Sequence, residues 1–105
     1  MESAVIDNKL EEIQQVLREL LELLQQEGDL NRFPGFEEAF RLAGLAAGDE
    51  STRGVLKKHV AGLYRGGSGT FNDYGIWREN YDERVKVNGK LDHLRLKLRE
   101  LSDQL

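Results

Sequence analysis

Ile6-Asp7-Asn8-Lys9-Leu10-Glu11-Glu12-Ile13-Gln14-Gln15-Val16-Leu17-Arg18-Glu19-Leu20-Leu21-Glu22-Leu23-Leu24 decides the fold. Ile6, Leu10, Ile13, Leu17, Leu20 and Leu24 recur at alternating steps of four and three, the stripe of a helix that packs along its length. Ser3 or Asp7 can cap its start, and Gly28 supplies a left-handed stop. A helix from Ser3 to Glu27 would span about 36 Å at 1.5 Å per residue. Val16, Leu21 and Leu23 lie off the stripe, so the second half is apolar over most of its circumference. Such a surplus requires a central place in a bundle or a second copy of the chain, and Val16, Leu21 and Leu23 are the candidate oligomer face.

Outward from this helix, residues 29–35 read as a loop around the only proline, Pro34, beside Gly35. A short helix is expected from Phe36 to Ala47, with the small residues Ala43, Gly44, Ala46 and Ala47 permitting close approach to a neighbour. Gly48 ends it, and a third helix is expected from Thr52 to Tyr64. Arg65-Gly66-Gly67-Ser68-Gly69-Thr70 is a turn, because glycine makes regular structure costly. Tyr74, Ile76, Val85 and Val87 show period-two spacing, which predicts a short hairpin of strands 74–78 and 84–87. Leu91, Leu94, Leu98, Leu101 and Leu105 then define a last helix, with Asn88 as its expected cap. The fold class predicted is mainly α: a small antiparallel bundle of about four helices, with a β-hairpin between the third and last.

The chain has 105 residues, enough for one domain over 1–105 and too few for two cores. A chain of this size buries roughly 65% of its unfolded surface, which permits a stable monomer with little margin. Without cysteine, neither a disulfide framework nor a thiolate metal site can form. The acidic start differs from a secretory signal, and no apolar run approaches the ~20 residues of a membrane span. These features predict a soluble, cytoplasmic protein with no membrane partner.

Net charge is −4, concentrated in residues 1–27, where seven acidic residues stand against two basic ones. An acidic first helix without a compensating basic face disfavours nucleic acid. The basic Lys90, Arg95, Lys97 and Arg99 flank the last leucine stripe, so the two long helices have complementary surrounds. Each exposed pair contributes only tenths of a kcal/mol, so burial sets the fold and charge helps select the pairing.

No catalytic motif is present. The Gly66–Thr70 loop lacks the preceding strand and the lysine of a phosphate loop. His59 and His93 belong to no metal-ligand spacing, and no metal or cofactor is expected. The adjacent acids Glu37-Glu38 and Asp82-Glu83 read as solvated faces, since an acid/base pair must converge in space. An enzyme would need a pocket beside the glycine loop, with Asp73 as its base.

The segment Phe71-Asn72-Asp73-Tyr74-Gly75-Ile76-Trp77 carries more information. Gly67, Gly69, Phe71, Asn72 and Asp73 are expected to build the turn, with the Asx side chains bonding turn backbone. Tyr74, Trp77 and Tyr81 have the composition of an interface hot spot. With the acidic Glu19 and Glu22 of the first helix, they are the candidate surface for a protein partner. An acidic face of this kind would accelerate association with a basic partner.

Leu63-Tyr64-Arg65-Gly66-Gly67-Ser68-Gly69-Thr70-Phe71-Asn72-Asp73, followed by Asn88 and the leucine helix, resembles a family of small bacterial proteins known only as a domain of unknown function. The resemblance covers residues 55–101, and its most specific part is the Gly-Phe-Asn-Asp core. It implies a helix ending in Leu-Tyr, a glycine-rich turn, a hairpin and a final leucine helix. Tyr74-Gly75 departs from the aliphatic pair of that pattern, and the hairpin region here is longer. By association, small acidic proteins of this type resemble immunity or antitoxin partners. The resulting expectation is a non-catalytic protein-binding domain of the immunity or antitoxin type; the alternative is a homo-oligomerisation module built on the first helix.

Overall fold

A computed structural model describes residues 2–28, 32–64 and 75–105, with side chains of the first helix from residue 5 onward. Four helices follow in order: α1 (Glu2–Gln26), α2 (Phe33–Leu45), α3 (Glu50–Tyr64) and α4 (Tyr81–Asp103). Each helix packs on the next in sequence, and α4 closes on α1. The body measures 48 × 24 × 20 Å, its length set by the two long helices.

Side-chain contacts fix the helix directions. Arg18 lies over the Phe40 ring while Gln14 meets Gly44, so residue numbers rise along α1 as they fall along α2. Tyr64 bonds the carbonyl of Arg95 and Lys57 that of Asp103, which makes α3 and α4 antiparallel as well. The helical-bundle class expected from the leucine periodicity is therefore present.

Leu10, Ile13, Leu17, Leu20 and Leu24 of the α1 stripe are all buried, together with Val16 and Leu23. Leu21 is partly buried against the same core. The broad apolar arc follows from two neighbours on two flanks. Arg18 and Gln14 meet α2, while Leu23 and Gln26 line a groove against Val87 and Lys90 of α4. One helix serving two seams needs more than one stripe.

Small residues tighten α2. Ala39, Ala43 and Ala46 are buried, and Pro34 occupies the first turn, where its missing N–H costs no hydrogen bond. At Gly35 an added Cβ would lie 2.7 Å from Leu63 Cδ2, so glycine permits α3 to approach. Gly28 and Gly48 adopt φ of 67° and 74°, the left-handed conformation expected of them as helix stops.

The expected hairpin is not formed. Residues 84–87 lie inside α4, and residues 75–78 have no regular structure. Residue 74, the start of the other expected strand, lies outside the described residues, as do Gly67, Gly69, Phe71, Asn72 and Asp73. The helix wins at 84–87 because its true cap is upstream. The Asn80 side chain accepts a hydrogen bond from the Glu83 backbone N–H at 3.0 Å, and Asp82 and Glu83 place negative charge in the first turn. Asn88, the expected cap, is an interior residue of α4 with a different task.

Candidate functional site

Residues 75–78 lead to α4 without regular structure, with a bend at residues 79–80, and their side chains go to different surroundings. Ile76 is buried, Trp77 points out at 73% exposure, and Arg78 turns to α1. Of the residues that carry the period-two signal in the sequence, Ile76 is buried here, Val85 and Val87 lie within α4, and Tyr74 lies outside the described residues. The carboxamide of Asn88 takes the place of a partner strand. Its Oδ1 accepts from the Ile76 N–H at 2.8 Å, and its Nδ2 donates to the Ile76 carbonyl at 2.7 Å. Nδ2 also donates to the Arg84 carbonyl at 2.8 Å, one helical turn back. One side chain thus satisfies both backbone groups of a buried residue that would otherwise be costly to desolvate.

A second anchor lies one residue past Trp77. Arg78 engages the Glu27 carboxylate through both terminal nitrogens, with Nη1 to Oε1 at 2.6 Å. A paired fork of this kind is among the stronger polar contacts. The Arg78 hydrogen bond holds the Glu27 carboxyl below its ordinary value of 4.5, against the opposing effect of burial. With the folded value depressed, the stabilisation is complete above about pH 4.5 and is lost as pH falls through the folded value. Acid titration of the melting temperature should show a shallower fall for Glu27→Gln than for the wild type. At neutral pH that variant should lose about 1 kcal/mol, a value kept low because Arg78 is partly exposed. Coincident acid limbs would remove this contact as an anchor.

Between these anchors Trp77 and Tyr81 stand 73% and 67% exposed. The Arg84 guanidinium carbon lies over both rings, 4.4 Å from the Trp77 centroid and 5.4 Å from that of Tyr81. Val85, 54% exposed, lies one turn beyond Tyr81 on α4. Two large exposed aromatic rings around an arginine form a compact surface on a fixed backbone. Tyr81 and Arg84 meet because they are three apart on a helix, a relation that exists only if α4 begins at Tyr81. That is why the sequence marked Trp77 and Tyr81 but not Arg84.

The remaining candidate residues are dispersed. Glu22 is exposed and Glu19 half-buried on α1, and no described contact brings either to the aromatic pair. Tyr74 lies outside the described residues. Val16, Leu21 and Leu23, the candidate oligomer face, are covered by the chain's own helices to the extent given above. His59 is half-buried with Nε2 2.7 Å from the Gly35 carbonyl, and His93 is exposed. Among the described residues no three or more His, Asp or Glu side chains are grouped to hold a metal ion.

A second concavity of about 230 Å³ separates α3 from α4, lined by Lys57, Val60, Tyr64, Arg99 and Asp103. Its tyrosine is committed to structure. The Tyr64 hydroxyl donates to the Arg95 carbonyl at 2.6 Å, and burial raises its ionisation above the ordinary value of 10.0. None of the described helices is long and apolar enough to cross a membrane. Comparison with protein-family models, with curated proteins and with solved structures finds no match to this chain.

Proposed function

We propose that the chain is a non-catalytic protein-binding domain whose contact surface is centred on Trp77, Tyr81 and Arg84. The observation that carries this reading is the exposure of both rings, 73% and 67%, on a segment anchored from two sides. Tryptophan, tyrosine and arginine are the residue types that dominate binding energy at protein interfaces. Rigid presentation also reduces the ordering cost that binding must overcome. Asn88 and the Arg78–Glu27 pair supply that rigidity from α4 and α1.

An inhibitor of the immunity or antitoxin type would be one such binder, and an adjacent toxin gene would name its partner class. The acidic α1, with Glu19 and Glu22, would then act on the rate of encounter and its salt dependence rather than through contact. Immobilised wild-type protein should retain a partner from its own cell extract that the Trp77→Ala/Tyr81→Ala variant does not. Loss of two central aromatic contacts weakens binding by about 2 kcal/mol or more, while exposed substitutions leave stability within about 0.5 kcal/mol. A partner retained equally by a variant with unchanged melting temperature would refute the assigned surface.

A further inference from the structure

The arginines of this chain divide by what their guanidinium groups meet. Arg41 pairs with Glu38 and Arg95 with Asp92, each three residues back on the same helix, and Arg78 pairs with Glu27. Arg84 differs. The residues one turn away from it are Asn80, Tyr81, Val87 and Asn88, none of them a carboxylate. Among the described residues its side chain has ring contacts and no ion pair. A cation–π contact uses the face of the aromatic ring and leaves the guanidinium N–H donors without an acceptor.

Resting on the protein-binding reading above, we infer that Arg84 is the recognition residue for an aspartate or glutamate side chain of the partner. The aromatic rings hold the guanidinium in place, so its planar fork meets a carboxylate with part of its rotamer freedom already lost. The contact is a two-bond, charge-assisted one, flanked by Trp77 and Tyr81, which exclude water from it. The partner therefore presents an acidic residue beside apolar groups that cover the two rings. The negative charge of α1 acts on encounter with the partner as a whole and Arg84 on a single carboxylate, so a partner that is basic overall can still present this one acid.

Random peptides displayed on phage and selected on the intact protein supply the probe. Selected peptides should carry an aspartate or glutamate, and changing it to asparagine or glutamine should weaken binding about tenfold or more. Arg84→Gln should weaken the parent peptide equally, and Arg84→Lys should not restore it, because lysine lacks the planar fork. On Arg84→Gln the peptide's acid-to-amide change should have no further effect. A role confined to positioning Trp77 would not produce that coupling. Trp77 is the only tryptophan, so its fluorescence reports each titration at the site itself. Peptides that require Trp77 and Tyr81 but tolerate loss of every acid would overturn the carboxylate assignment and leave the protein-binding reading standing. Selection that yields no peptide dependent on either ring would overturn both.

Discussion

Replacing Phe36 by alanine should cost about 3–5 kcal/mol, the largest single loss expected in this protein. Phe36 is 1% exposed and, among the described residues, is the largest fully buried side chain of the core. Its position follows from the chain on either side. Pro34 starts α2, and at Gly35 the absence of a Cβ leaves room for the Leu63 side chain of α3. Removing the ring leaves a cavity in the core, and partial relaxation around it is why such losses exceed the transfer term. Since domains of this size have about 5–15 kcal/mol in total, the variant should be marginal at room temperature. Urea unfolding measures this directly, with Phe40→Ala as a comparison. Phe40 is only partly buried with Arg18 over its ring, so its loss should be about 1–2 kcal/mol. Equal losses at the two positions would show that the core is not arranged around Phe36.

The second large effect is expected at Asn88. Its replacement by leucine, similar in size, removes the acceptor for the Ile76 N–H and the donor to the Ile76 carbonyl. Ile76 is 4% exposed, so both groups would be left dry. Each unsatisfied group costs about 1–3 kcal/mol, and relief comes only if residues 75–78 leave the core. We expect a loss of about 2–4 kcal/mol, with a change in the environment of Trp77. Asn88→Asp separates the two bonds, since an ionised carboxylate can accept from the N–H but cannot donate to the carbonyl. It should fall between wild type and Asn88→Leu in urea unfolding. If Asn88→Leu matched wild type in stability and in Trp77 emission, the carboxamide would not be what holds residues 75–78.

Both predictions depend on features that the sequence reveals unequally. The α1 stripe and the stops at Gly28 and Gly48 are legible because their signals are local, a period of 3.6 and a backbone conformation that glycine favours. The start of α4 is not. Val85 and Val87 alternate as in a strand, and Asn88 reads as the cap, eight residues past the true cap at Asn80. The opposing signal was present in Asn80-Tyr81-Asp82-Glu83, an asparagine cap followed by acidic first-turn residues. It is outweighed on paper by β-branched residues, and wins in the molecule because the leucine face of α4 extends back through Val87 to the groove beside α1. Propensity at two valines is a weak term beside burial along a long helix.

The same shift governs the candidate site. Trp77 and Tyr81 stand out by residue type alone, since exposed aromatic residues are uncommon. Arg84 becomes part of the site only when helical geometry brings it against both rings, and Asn88 only when a long-range contact to Ile76 exists. The surplus of apolar residues on α1 is legible, with a central place in the bundle or a second copy as its two explanations, and the packing of α2 and α4 on α1 supplies the first.

The indole N–H resonance of Trp77 gives the most direct test, because the chain has a single tryptophan and hence a single such signal. Titrating labelled protein with a selected peptide or a captured partner should shift or broaden that resonance in step with complex formation. Alanine at Tyr81 should weaken the same complex without lowering the melting temperature. A partner that binds fully while the indole signal stays unmoved would contradict the assignment of this surface.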